Sequence, residues 1–298
     1  MSLVFAAIAP HGGLAVEEAC TAKESKLALK TRAGMLALGR AFDKAKPEVV
    51  IVATPHNVHI GGAFGVIVAG RLAGNLGSTP KPVELDLPSH TGLAWGLLES
   101  LTAAELPVVG VSFGANDPES AVAPMDWGVL IPLWFMGGRS DPPVPAVVVT
   151  PARDLSADEH IRAGGAITAA ARASGLRVAF IASADHGHAH RGDGPYGYDP
   201  AARLYDDLVV GLVRRDRLGD LVNVPARLVE EAKADSWWQM LMLHGATGAG
   251  WKGKLVSYEA PTYFGMLTAA YLPAARRPPS RGTSSPPRKR TPRQTRSR

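Results

Sequence analysis

Six short apolar runs constrain this chain more than any other feature: residues 3–8, 49–53, 63–68, 108–112, 146–150 and 178–182. They are rich in Val, Ile and Ala and show no apolar–polar alternation. A strand with one face in water alternates, whereas a strand covered on both faces does not. Longer stretches between them, at 25–45, 91–104, 157–174, 200–214 and 236–243, have the character of helices. One opens with Ser156 and Glu159 in the S-x-x-E spacing of a capping box. Buried strands alternating with helices predict an α/β fold, a central mostly parallel or mixed β-sheet flanked by helices. The glycine-rich run at 61–74 is expected to add a hairpin and so make the sheet mixed.

The chain has 298 residues, 46% of them hydrophobic and 20% charged, enough for one large domain. No apolar run approaches the roughly 20 residues needed to cross a bilayer. The first residues lack a positive segment and run straight into His11, which argues against a signal peptide. A single cysteine, Cys20, rules out an intrachain disulfide and fits a reducing, cytoplasmic setting. No catalytic signature surrounds Cys20, which reads as a small packed residue. The net charge of +5 is misleading, because residues 276–298 carry nine Lys and Arg and no acid, leaving residues 1–275 at −4. Pro, Ser, Thr and Arg without apolar residues cannot build a core, so this tail is expected to be a disordered basic segment following a catalytic domain at 1–275. Nucleic acid is therefore not an expected partner except through the tail. No G-x-G-x-x-G follows the first strand and no Walker sequence occurs.

The histidines are placed unevenly. The first run ends in Ala9-Pro10-His11-Gly12-Gly13, the second in Thr54-Pro55-His56-Asn57, and the last in Ser183-Ala184-Asp185-His186-Gly187-His188. In open α/β sheets the carboxyl ends of strands line the ligand crevice. A proline before His11 and before His56 restrains the backbone where each strand stops, and the glycines after His11 are expected to turn the chain away. Neutral imidazole is a common ligand for iron, zinc and manganese. Two such rings at neighbouring strand ends predict a metal site there, with Asp185 or Asp126 as the partner of a ligating ring's second nitrogen. Tyr196 and Tyr198 lie in a turn entering the helix at Pro200 and are expected to pack more than to reach the site.

At these residues the sequence resembles the class III extradiol ring-cleavage dioxygenases, the family of the protocatechuate 4,5-dioxygenase β-subunit. The likeness rests on A-P-H-G at 9–12, T-P-H-N at 54–57, M-D-W-G-V-L-I-P-L at 125–133, A-S-A-D-H-G-H at 182–188 and S-W-W-Q-M-L-M-L-H-G-A at 236–246, in that order. It spans residues 1 to about 272. The resemblance implies Fe(II), with zinc or manganese as substitutes on isolation, held by His11, His56 and a carboxylate. It puts the catalytic base on His188, with His186 beside it. Where the family carries a glutamate at the start of its closing helix, this chain has Ser236, a poor ligand. Asp235 is the first choice for the third ligand and Glu231 the second, with Glu230 nearby; Asp235 could equally serve as the helix N-cap. Trp127 stands where several members have a substrate-contacting histidine, and with His59 and Asp126 it is an expected substrate contact.

The implied reaction is extradiol cleavage of a catechol-type aromatic substrate by O2, in a protein that is a homo-oligomer like other members. Two alternatives stay open on sequence grounds. The same donors suit a metal-dependent hydrolase, and the related Memo-like proteins are a metal-binding branch without established dioxygenase activity.

Overall fold

The computed structural model describes residues 2–274. The predicted basic tail at 276–298 lies outside the described residues. In chain order the elements are β1 (Leu3–Ala9), α1 (Leu29–Ala45), β2 (Val49–Ala53), β3 (Phe64–Ile67), β4 (Arg71–Asn75), β5 (Glu84–Pro88), α2 (Thr91–Ala103), β6 (Val108–Val111), β7 (Val122–Pro124), α3 (Trp127–Phe135), β8 (Ala146–Thr150), α4 (Ala157–Ala173), β9 (Val178–Ser183), α5 (Pro200–Arg214), α6 (Ala226–Glu231), α7 (Trp237–Thr247), β10 (Trp251–Glu259) and β11 (Met266–Pro273).

Eight strands form one mixed sheet in the order β10-β11-β1-β9-β2-β8-β3-β6. Its centre, β1-β9-β2-β8, is all parallel. Every residue of β2, β8 and β9 is buried. Alternate side chains serve two cores: Ala6 and Ile8 join the layer of α2, α4, α5 and α7, while Phe5, Ala7 and Ala9 join the layer of α1 and α3. Full burial of a Val, Leu, Ile or Phe side chain is worth about 1.5–3 kcal/mol, so a one-residue slip of any central strand would misplace its whole apolar set. The parallel order requires crossovers, which α1 supplies between β1 and β2 and α4 between β8 and β9. Helix α4 begins with the expected reciprocal cap between Ser156 and Glu159.

The expected hairpin at 61–74 does not form. Strand β3 pairs with β6 and β8 in the main sheet, whereas β4 leaves it to pair with β5 and β7 in a separate three-stranded sheet. The main sheet is mixed for other reasons: β3 runs antiparallel to β8, and β11 to β1. The small sheet matters because β7 delivers the chain to Asp126 and Trp127, which face the ends of the central strands. Among the described residues no helix is long and apolar enough to cross a membrane.

Candidate metal centre

His11 and His56 follow β1 and β2, which lie on either side of β9 in the sheet. Their Nε2 atoms come within 3.2 Å of each other. Asp235 Oδ2 lies 3.5 Å from His11 Nε2 and 3.2 Å from His56 Nε2. Among the described residues this trio is the group of His, Cys, Asp and Glu side chains that could hold a metal ion. Donors bound about 2.1 Å from one ion, at tetrahedral or octahedral angles, stand about 3.0–3.4 Å apart, so these separations suit a single cation. Asp235 Oδ1 is buried with no hydrogen-bond partner, as expected of a carboxylate whose partner is an ion.

The orientation of the His11 ring follows from a relay of hydrogen bonds. The Ser183 hydroxyl donates to the Gly128 carbonyl. Having given its proton there, Ser183 Oγ accepts from His11 Nδ1, 2.9 Å away. That tautomer leaves the Nε2 lone pair facing the centre. The partner of the ligating ring is thus Ser183, a correction to the expected Asp185 or Asp126. Asp185 instead accepts the His11 backbone N–H at 3.1 Å and sets its other oxygen 3.5 Å from His11 Nε2. Asp126 caps α3 by accepting the Val129 N–H.

Glycine has a different role here from the one expected. Gly12 is in an ordinary extended conformation, with φ −68° and ψ 136°. What requires it is the ring of Phe264, which a Cβ would strike. Gly128 is likewise required by close approach, since a Cβ there would meet the Thr54 hydroxyl and His56. After His56 the chain turns at Asn57, whose φ of +73° is left-handed and whose amide donates to the Pro124 carbonyl.

Asp235 does not cap α7. Ser236 occupies the N-cap position without a capping side-chain bond, and the Asp235 carboxylate faces the histidines. The Asp235 carbonyl and that of Ser183 both accept from the Gln239 side-chain amide, tying the start of α7 to the end of β9. Glu231, the second choice for a ligand, pairs with Arg227 on α6 and takes no part in the cluster.

The charges reinforce one another. Burial alone would depress the His11 imidazole, but the Asp185 and Asp235 carboxylates outweigh it and raise its pKa to about 9. Burial pushes Asp235 upward, yet His11 and His56 together hold it well below the usual carboxylate range. Such a centre attracts a cation, either a proton or a metal.

His188 completes the site. It lines both cavities that meet at the cluster, stacks on Phe264 with centroids 5.3 Å apart, and has a buried Nδ1 without a hydrogen-bond partner. Its loop is fixed by Asp206, a fully buried acid of α5. Asp206 accepts from the Gly187 N–H, from the Tyr258 hydroxyl and from the His190 ring. His186 is placed differently from its neighbour. It is fully buried, lines neither cavity, and shares the Ser236 hydroxyl with Tyr205. Burial lowers its pKa to about 4, which keeps it neutral. Its position is that of a support behind Ser236, in place of the catalytic role expected for it. Trp127 is half exposed and packs 4.8 Å from His56; it and Asp126 line the larger cavity. His59 is exposed and lines neither cavity, so the structure does not bring it to the substrate position. Tyr196 lines both cavities, whereas Tyr198 lines neither.

Sequence reasoning missed Ser183 as a ring partner, and also Asp206 and Phe264. A signal for Asp206 was present: it lies on the face of α5 that buries Ala202, Tyr205, Val209 and Val213, and an acid in such a stripe needs partners. Phe264 carried no comparable mark.

A family model described as the catalytic LigB subunit of aromatic ring-opening dioxygenase matches residues 5–269. A protein of Clostridium acetobutylicum is 25% identical over 261 residues, covering 87% of this chain and 55% of the relative. The chain thus spans about half the length of the curated relative it matches. The crystal structure of an uncharacterized protein from Escherichia coli is similar in fold, with a TM-score of 0.57 and 20% identity over 90% of this chain and 99% of the other.

Proposed function

Because the chain belongs to the family of catalytic LigB subunits of aromatic ring-opening dioxygenases, we propose that it is a non-haem Fe(II) enzyme that opens a catechol-type ring beside its hydroxyl groups, with O2 as co-substrate. One observation carries this reading: two imidazoles and one carboxylate converge within 3.2–3.5 Å at the meeting point of two cavities that His188 also lines. Two histidines and a carboxylate with open positions are the donor set of Fe(II) oxygenases.

His11, His56 and Asp235 would hold the iron, which when bound supplies the electronic link between ring and oxygen. The protein's own groups do the rest. The aromatic substrate enters the larger cavity, of about 950 Å³, against Trp127 and Phe264. His188, stacked on Phe264 and unpartnered at Nδ1, accepts a phenolic proton and can return it after ring opening. Ser183 keeps the His11 lone pair directed inward throughout.

The test is anaerobic reconstitution with Fe(II), followed by a panel of catechols under O2. The proposal expects O2 uptake and a yellow ring-fission product, lost in His188→Gln with metal content unchanged. Turnover with zinc in the absence of O2 would identify a hydrolase instead. Tight metal binding with no turnover of either kind would favour a binding protein of the Memo-like type.

A further inference from the structure

Residues 13–29, which join β1 to α1, stand between two hollows. On one side Leu14, Cys20, Glu24 and Leu27 line the larger cavity of the metal centre. On the other, Ala15, Glu17, Glu18 and Leu29 line a surface groove of about 590 Å³ between α1 and the C-terminal end of α3. The segment contains three single-turn 3-10 helices, Gly13–Ala15, Glu17–Ala19 and Glu24–Lys26; none has a side-chain cap, and the last two have no buried residue. The buried Arg32 guanidinium ties it to α1 by donating to the carbonyls of Leu14 and Ser25. A wall that buries so few of its own side chains belongs to the low-stability end of a fold.

The groove is apolar along its length and charged at its ends. Helix α1 turns Met35, Leu38 and Phe42 into the core. It carries a second apolar stripe, Leu29, Ala33 and Leu36, at the i, i+4, i+7 spacing of one helix face. Leu29 and Leu36 are 61% and 55% exposed. Trp134 and Phe135 of α3 form the facing wall. Gly39 fixes the depth, since a Cβ there would come within 2.6 Å of the Phe135 carbonyl oxygen. An uncovered apolar stripe rimmed by charges marks an interaction site. At one end lie Glu17 and Glu18, beside the stretch that Arg32 fastens. At the other lie Arg40, one turn beyond Leu36, and Arg139, whose guanidinium sits 4.4 Å over the Trp134 ring; Asp43 is the acid at that end. Among the described residues Glu17, Arg40 and Asp43 make no ion pair, and Glu18 approaches Arg139 only to 3.9 Å.

We propose that a second copy of this chain covers the groove, the two α1 helices running antiparallel about a two-fold axis, and that this contact steadies the wall of the larger cavity. A two-fold contact uses the same patch on both copies. It sets leucine stripe against leucine stripe and brings the acidic end of each groove to the basic end of the other, so that charges left unpaired within one chain find partners in the second. Because Glu17 and Glu18 face the groove while Cys20 and Glu24 face the cavity, burying one side of the segment restrains the other. The surface is independent of the reaction that the metal centre carries out.

The test is sedimentation velocity of the full-length, zinc-loaded chain across a dilution series, with amide hydrogen exchange of residues 14–27 measured on the same samples. The wild type is expected to be a dimer that dissociates on dilution and more readily at high salt. Leu29→Glu/Leu36→Glu should be a monomer at every concentration, with metal content and melting temperature as in the diluted wild type, which shows that it is folded. Exchange at 14–27 should be faster in that variant and in the diluted wild type than in the dimer. Arg40→Glu should weaken the dimer, and Arg40→Glu with Glu17→Arg should recover it. A wild type that is monomeric throughout would overturn the proposal, as would a dimer that survives the two leucine substitutions. Loss of the dimer with exchange at 14–27 unchanged would overturn the link to the cavity wall, and a charge swap that recovers nothing would overturn the antiparallel arrangement.

Discussion

His11 and His56 are set by the sheet, two residues beyond β1 and three beyond β2. Asp235 and His188 sit in loops and are set by side-chain hydrogen bonds. The first pair inherits its position from two parallel strands of the buried sheet centre, β1 and β2. The second pair depends on Gln239, which ties Asp235 to β9, and on Asp206, which holds both flanks of His188. The site thus joins a part that the core cannot move without unfolding to a part that a few polar contacts can release. Single substitutions should separate metal retention from stability along this line.

The largest expected effect is on metal content. His56→Ala removes one of three donors at a ring that is not part of either core, so stoichiometric metal should fall to near none with the thermal transition of the metal-free protein little changed. Elemental analysis after dialysis, beside a melting curve, checks this. Asp206→Ala should do the opposite. It strands one buried and two partly buried donors and is expected to cost about 3–5 kcal/mol of stability, read by denaturant titration, while the surviving folded protein still binds metal. Equal metal loss in both variants would erase the distinction between the two halves.

Ser183→Ala sharpens the comparison within the strand-borne half. It deletes the partner of His11 Nδ1 and leaves the ligand itself in place. Loss of such a partner typically weakens metal binding 10–100-fold, measurable by competition with a chelator. A smaller effect separates the metal-free from the loaded state by pH. The His11 pKa is raised from 6.5 to about 9 in the metal-free fold. Its proton therefore stabilises that fold fully below about pH 6.5, and the contribution is lost as pH rises through about 9. Metal must displace the same proton, so affinity should climb by up to about tenfold per pH unit until about pH 9 and then level. His11→Gln should abolish the slope along with most of the binding.

The strand-borne half was the legible half. Strands β2 and β8 match the apolar runs at 49–53 and 146–150 residue for residue, because full burial leaves a continuous apolar signature. Helix α5 was equally plain, opened by Pro200 and capped by Asp199. That His11 and His56 end two central strands followed from those runs, but the strands are not the neighbours expected: β9 lies between β1 and β2. Other elements were hidden. Helix α3 is apolar on all sides and contains Pro132, so no periodicity or break marked it as helix. Strand β5 alternates in burial along Glu84–Pro88, the pattern of a strand with one face in water. The run at 61–74 forms no hairpin because β3 and β4, though adjacent in sequence, pair with strands farther along the chain. His186 and His188 look equivalent in D-H-G-H, yet one is buried behind Ser236 and the other faces both cavities. Only tertiary packing distinguishes them. The same holds for Asp235 over Glu231, where the loop between α6 and α7 separates a buried carboxylate from one paired with Arg227.

The most direct test of the metal centre is a crystal structure of the metal-loaded protein with anomalous data at the metal edge. A single peak is expected about 2.0–2.2 Å from His11 Nε2, His56 Nε2 and a carboxylate oxygen of Asp235, with the remaining positions open toward His188. A peak bound elsewhere, or one coordinated without Asp235, would contradict the account.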